Sequence, residues 1–229
     1  MTELTANELA TRLGVTHRRV LSLLADGRIS ARRLANGTWL ADADAVARYE
    51  LIAQRGSGRP LSADAAWAVL WELSGLKVDW LSDSTHARVR RRVREATVEE
   101  IATVVAARTT THYFRAANAE RASASLIQTG RAVADTLADL GVDLIADRRR
   151  VSGYVRSGKI TDYAARHFML EQSDGADVLF DNTLPLEFEG DVMPTAVIAA
   201  DLARSTTTRE RAGGLRALEA LRERWLATQ

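Results

Sequence analysis

The chain has 229 residues, of which 46% are apolar, 27% charged and 6% aromatic, with only 3 Pro, a composition that excludes disordered and collagen-like classes. With 0 Cys, a disulfide framework, a zinc finger and a thiolate nucleophile are excluded together. The 31 basic and 30 acidic side chains leave a net charge of +1, so charge alone argues neither for nor against nucleic acid.

The first element in chain order is Thr5-Ala6-Asn7-Glu8, a capping box that predicts a helix start. Leu9, Ala10 and Leu13 follow at helical spacing, and Gly14 supplies a left-handed end. Thr16 predicts the cap of a second helix over about 17–25. It turns Val20, Leu23 and Leu24 inward, leaves Arg18, Arg19 and Ser22 toward solvent, and stops at Asp26-Gly27. Small Ala10, turn-forming Gly14 and apolar Val20 are what two helices crossing steeply through a tight turn require. This is helix-turn-helix spacing, which can lay the second helix in a major groove; an αα-hairpin without a ligand uses the same spacing. Ile29–Leu34 and Thr38–Ala41 read as strands around Asn36-Gly37, the preferred pair of a type I′ turn. Arg28, Arg32 and Arg33 decorate that hairpin, and Trp39 is expected to pack it back onto the helices. Asp42 or Asp44 then opens a third helix carrying Val46, Tyr49 and Leu51.

The segments ELATRLGVTHRRVLSLLADGRISARR and NGTWLADADAVARY, within Thr5–Leu51, resemble the winged-helix DNA-binding modules of the MerR and excisionase type. The resemblance implies double-stranded operator DNA as partner. The exposed positions of the second helix are Thr16, His17, Arg18 and Arg19 rather than acids. Arg18 or Arg19 can read guanine through O6 and N7, and His17 is placed to touch DNA. Thr16, Ser22 and the hairpin arginines suit phosphate contacts, which set register and affinity. Residues 1–60 hold 9 Arg against 6 acids, in keeping with that partner.

Gln54-Arg55-Gly56-Ser57-Gly58-Arg59-Pro60 is the clearest composition break. It reads as a linker over 55–60 between a domain at 1–54 and a larger one at 61–229. Arg55 and Arg59 are either an arm entering a minor groove, since Gly-Arg-Pro is similar to the core of an AT-hook, or part of a solvated hinge. Beyond it, Ser62 and Asp64 can cap a helix bearing Trp67, Val69, Leu70 and Leu73, ended by Gly75. Ser82 starts another, in which Arg88, Arg90, Arg91, Arg92 and Arg94 fall within seven residues around Val89 and Val93. These arginines form either a phosphate- or partner-binding surface or a solvated face partly neutralised by Glu95, Glu99 and Glu100. Thr97 and Glu100 make a further capping box.

After residue 110, strand-like His112–Ala116, Val142–Ala146, His167–Glu171 and Val178–Phe180 alternate with helical stretches. Two helices close the chain, one from about Pro194 to Ala203 and a longer one after the box Thr207–Glu210, whose Gly213-Gly214 pair predicts close packing. Residues 167–203 hold no Lys or Arg; their carboxylates, Glu171, Asp174, Asp177, Asp181, Glu187, Glu189, Asp191 and Asp201, read as a solvated face or one docking a basic partner. Gly153–Lys159 has P-loop spacing, but Ile160 stands where Ser or Thr must ligate magnesium, so a strand and turn is expected. The four His residues, at 17, 86, 112 and 167, are too scattered for a metal motif. No catalytic residue, cofactor or metal is expected.

The segments GRPLSADAAWAVLWELSG, LIQTGRAVADTLADLGVDLIA, GYV at 153–155 and VIAADLARSTTTRERAGGLRALEALRERW resemble the C-terminal part of the AbiEi-like antitoxins of type IV toxin-antitoxin pairs. The resemblance implies repression of the antitoxin's own operon and antagonism of a nucleotidyltransferase-like toxin. The expected fold is α+β, a small winged helix-turn-helix domain followed by a larger, helix-rich mixed α/β domain. The alternative is a phage or plasmid immunity repressor whose two domains both bind DNA. No apolar run approaches the roughly 18 residues of a membrane span and no signal-peptide layout is present, so a cytoplasmic protein without a membrane partner is expected. No heptad pattern settles the oligomeric state.

Overall fold

The computed structural model describes residues 3–25, 29, 31–34, 36–43, 46, 49, 61–172 and 175–228. Helices and sheets are mixed throughout, and the chain divides into two compact units, one built from Met1–Gln54 and the other from Arg55–Glu171 and Gly175–Gln229.

In the first unit, β1 (Glu3–Thr5) leads directly into α1 (Ala6–Leu13), and α2 (His17–Ala25) follows. β2 (Ala31–Arg33) and β3 (Trp39–Asp42) form a hairpin. The Thr5–Glu8 capping box is complete, Thr5 Oγ1 accepting from the Glu8 amide at 3.4 Å and Glu8 accepting from the Thr5 amide at 2.7 Å. Gly14 ends α1 in the left-handed region at φ 63°, where a side chain would be strained. Strand β1 was not anticipated, because three residues carry no measurable periodicity. It pairs antiparallel with β3, giving the order β1-β3-β2. The hairpin turn also differs from the expected type I′. The Gly37 amide donates to Leu34 O at 2.9 Å, and of Asn36 and Gly37 only Gly37 has a positive φ, 85°, whereas type I′ needs it at both. Asn36 instead accepts from the Thr38 amide at 3.0 Å, stiffening the turn. Ala6, Leu9, Val20, Leu23, Leu24, Ile29, Ala41 and Val46 form the core, with Trp39 and Tyr49 packed against it. Ala43, Val46 and Tyr49 are helical; the proposed helix stop Asp26-Gly27, Asp44 and Leu51 lie outside the described residues.

The larger unit opens with α3 (Ala63–Leu73), capped by Ser62. Eight of its 11 residues are buried, so it is a central rather than a surface helix. α4 (Asp83–Glu95) and α5 (Val98–Val105) follow, the latter opened by a complete Thr97–Glu100 capping box. A five-stranded sheet comprises β4 (Thr111–Ala116), β5 (Leu126–Gln128), β6 (Ser152–Val155), β7 (Met169–Glu171) and β8 (Asp177–Phe180). Its order is β5-β6-β8-β4-β7, and only the β6–β8 pair is parallel. Side chains alternate across it. Leu126, Val155 and Leu179 enter one cluster, with Ile160 and Tyr163 of α7 (Ile160–Arg166), while Ile127, Tyr154 and Phe180 enter the main core with α3. A short helix α6 (Ala119–Ser123) and two 3₁₀ stretches within Gly130–Leu140, broken at Val133, connect the strands.

The main core is closed by α8 (Thr195–Leu202), whose residues from Ala196 to Leu202 are all buried, and by α9 (Thr208–Ala227). Gly214 makes that pairing possible. A Cβ there would lie 2.3 Å from Ala203 N and 2.5 Å from Ala199 O. Three expectations are corrected. Val142–Ala146 is not a strand; its backbone meets a side chain, Arg209 donating to Asp143 O at 3.1 Å, rather than a ladder. The predicted strand at His167–Glu171 starts at Met169, since His167 ends α7 and Phe168 is left-handed at φ 52°. The Thr207–Glu210 box does not form: Thr207 makes no side-chain cap, and Glu210 accepts from Arg131 at 2.9 Å and Ser205 Oγ at 2.5 Å.

Candidate functional site

The first unit gathers its exposed cations at the start of α2. Thr16, His17, Arg18 and Arg19 are exposed in succession, because Val20 is the first residue that the helical turn carries into the core. Thr16 Oγ1 accepts from the Arg19 amide at 3.3 Å, capping the helix and leaving its proton to donate outward. Among the described residues no carboxylate lies in ion-pair reach of Arg18 or Arg19. The first turn of α2 also holds no acid, so unsatisfied amides and guanidiniums present positive charge together. Ser22 is half-buried rather than solvent-facing.

The hairpin arginines are already engaged. Arg32 donates Nε to Glu3 Oε1 at 2.8 Å and Nη2 to Glu3 Oε2 at 2.7 Å, a two-pronged pair. The Arg32 hydrogen bond holds the Glu3 carboxyl below its ordinary range. Arg33 donates to Gly37 O at 3.3 Å, and its guanidinium lies 5.8 Å from the Trp39 ring centre. Trp39 packs onto the core as expected. Arg28, Arg55 and Arg59 lie outside the described residues.

The arginines of α4 do not share one face. Arg90 and Arg94 lie 5.8 and 5.9 Å from the ring of Trp225, whose Nε1 donates to Glu72 at 2.8 Å. His86 hydrogen-bonds the same carboxylate group. Arg92 is half-buried. Only Arg88, Arg91 and Arg94 are exposed; Arg88 donates to Thr85 Oγ1 at 2.9 Å and Arg91 lies 3.9 Å from Glu95. Part of the basic run therefore braces Trp225 and α9.

Two members of the acidic stretch, Asp177 and Asp201, are buried, and a third, Asp181, is half-exposed but paired. Asp177 is buried and accepts the Ala116 and Val151 amides, each at 2.8 Å. Asp181 pairs with His112 at 3.1 Å. Asp201 is the acid of a buried cluster that the sequence reading missed. It accepts from Arg108, from Thr129 Oγ1 at 2.8 Å and from Tyr154 OH at 3.0 Å. Arg108 also donates to Val105 O at 3.0 Å and to Tyr154 OH at 2.8 Å, and its guanidinium stacks 5.0 Å from the Trp67 ring centre. Burial opposes the Arg108 charge, but Asp201 and Tyr154 more than offset this and raise its pKa. Burial likewise pushes the Tyr154 phenol far up, so Tyr154 remains a neutral donor. No spacing rule would have found a set drawn from residues 108, 129, 154 and 201. With Asp201, Thr129 and Tyr154 partnered internally and Arg108 left with only its Nε unbonded among the described residues, the cluster is suited to holding β6 against α8.

Gly153 does not serve a phosphate loop. A Cβ there would lie 2.8 Å from Ile127 O, so the glycine is used for strand packing. Among the described residues no group of three or more metal-type ligands is present, and no helix is long and apolar enough to cross a membrane. A groove of about 220 Å³ is lined by Val142, Asp143, Leu144, Arg209, Gly213 and Arg216. No protein-family model, curated protein or solved structure matches this chain.

Proposed function

We propose that the chain is a sequence-specific DNA-binding transcriptional repressor whose first unit is a winged helix-turn-helix. The α2 helix enters the major groove of operator DNA and the β2–β3 hairpin is the wing. The observation that carries this reading is the unbroken exposed run Thr16-His17-Arg18-Arg19 at the start of α2. It lies after a glycine turn from α1 and is backed by a fully apolar inner face. Arg18 and Arg19 are the base readers, and Thr16 and His17 contact the backbone or neighbouring bases. The larger unit is the partner-binding part of a type IV antitoxin that represses its own operon and antagonises a nucleotidyltransferase-like toxin. That part of the proposal rests on the resemblance of its segments. The division of the α4 arginines between Trp225 and solvent favours a partner-binding unit over a second DNA-reading one.

The test is fluorescence anisotropy with the full chain on DNA from upstream of its own gene and on random DNA, over a range of salt. The upstream DNA binds more tightly, and Arg18→Ala with Arg19→Ala weakens it about fivefold or more, as loss of a two-pronged arginine–guanine contact of roughly 1–3 kcal/mol requires. Equal binding of both DNAs, unchanged in the double variant, refutes the reading.

A further inference from the structure

The first unit contains a carboxylate where an incoming phosphate would be received. An arginine fork accepts a carboxylate and a phosphate through the same pair of parallel N–H donors. Arg32 uses that pair, Nε and Nη2, on Glu3 at 2.8 and 2.7 Å. Strand register sets the pairing. Arg32 on β2 lies opposite Leu40 of β3, and Leu40 in turn lies opposite Thr5 of β1, so the two outer strands flank the same stretch of β3 and Glu3 reaches across it. Both side chains stay accessible, at 61% exposure for Arg32 and 31% for Glu3. The pair is therefore open to exchange with an external anion, unlike the buried Arg108–Asp201 pair. Arg33 is held differently, by a backbone carbonyl and by Trp39, and among the described residues it has no acid to give up.

We propose that Glu3 is an intramolecular phosphate mimic that competes with the DNA backbone for Arg32, so that the wing contact forms by exchange of one anion for another. This rests on the DNA-binding reading given above. Glu3 thereby lowers affinity for every sequence alike. Contacts made by Arg18 and Arg19, which surrender no described acid, account for a larger share of the total, and the ratio of affinities between sequences is kept while overall affinity falls.

The probe is a random-sequence DNA duplex, because phosphate contacts do not depend on sequence. Wild type, Glu3→Gln, Arg32→Gln and the double variant are titrated across salt, with thermal melts to verify that each is folded. The expected result is that Glu3→Gln tightens binding by about two- to fivefold at low salt, the range of a surface ion pair. It also steepens the salt dependence of log K by up to about 0.9, because no freed Glu3 carboxylate takes back a cation to offset the one phosphate contact of Arg32. In the Arg32→Gln background Glu3→Gln changes nothing. Equal tightening in both backgrounds reports loss of a nearby negative charge and overturns the mimic, as does no tightening in either. If wild type binds no duplex and the Arg18/Arg19 variant behaves like wild type, the DNA-binding reading itself fails.

Discussion

Replacing Asp201 by Asn keeps the shape of the side chain and removes its charge, which isolates what the buried cluster contributes. Arg108 is 1% exposed and Asp201 6%, so no water can take over the lost interaction. The substitution strands the Arg108 guanidinium and forces an amide NH₂ toward one of the donors, Thr129 Oγ1 or Tyr154 OH, that now point at the carboxylate. Arg204, whose Nη1 lies 4.0 Å from Asp201 Oδ1, loses its nearest counter-charge too. Breaking one side of a buried pair costs about 3–5 kcal/mol. For a unit of this size that lowers the melting temperature by roughly 6–20 °C. Tryptophan fluorescence reports on the right unit, because Trp67, Trp71, Trp80 and Trp225 all belong to it and Trp67 packs against both Tyr154 and Arg108. The stranded charge, rather than a lost contact, is the source of the cost, so adding Arg108→Met to Asp201→Asn restores part of the stability. A loss below about 1 kcal/mol, the worth of an exposed pair, refutes the reasoning. So does a double variant less stable than Asp201→Asn alone.

Two further predictions concern packing and pH. Gly214→Ala drives a Cβ to 2.3 Å from Ala203 N and 2.5 Å from Ala199 O, and backbone cannot step aside. Overpacking toward the upper end of about 1–3 kcal/mol outweighs the roughly 1 kcal/mol that alanine gains in a helix. In contrast, Gly213→Ala meets side chains rather than backbone, the flexible end of Leu144 at 2.8 Å and Val142 Cγ1 at 3.2 Å, so it costs less than Gly214→Ala; equal melting temperatures for the two variants contradict this account. His167 has its pKa lowered by burial, with Arg166 and Arg121 adding to the shift. The folded state therefore binds fewer protons than the unfolded one, and stability falls as pH drops through the ordinary histidine range toward the folded pKa. His167→Gln flattens that part of the stability profile in urea titrations between neutral and mildly acidic pH, and an unchanged slope removes His167 from the explanation.

The local signals were legible because their causes are local. Thr5 and Glu8, Thr97 and Glu100, and the left-handed Gly14 meet partners within a few residues, and the structure places each as read. The inner face of α2, Val20, Leu23 and Leu24, follows from helical periodicity alone. What failed was legible only in three dimensions. The Thr207–Glu210 box has the same spacing as the two that form, but Arg131 and Ser205 take its carboxylate. Five arginines in one run read as a single surface, yet helical rotation sends Arg90 and Arg94 to Trp225 and Arg91 toward Glu95. Likewise the acids of residues 167–203 looked alike in sequence, and folding took Asp177 and Asp201 inside while leaving Glu171, Glu187, Glu189 and Asp191 exposed.

By itself, the sequence determined the capping boxes that open α1 and α5, the left-handed end of α1, the exposed Thr16–Arg19 run and the absence of any cysteine chemistry, because each depends on backbone preference or on spacing within one element. Tertiary structure alone decided which charges are available. The Glu3–Arg32 and Arg108–Asp201 partners stand 29 and 93 residues apart, and only strand register and core packing bring them within hydrogen-bonding reach.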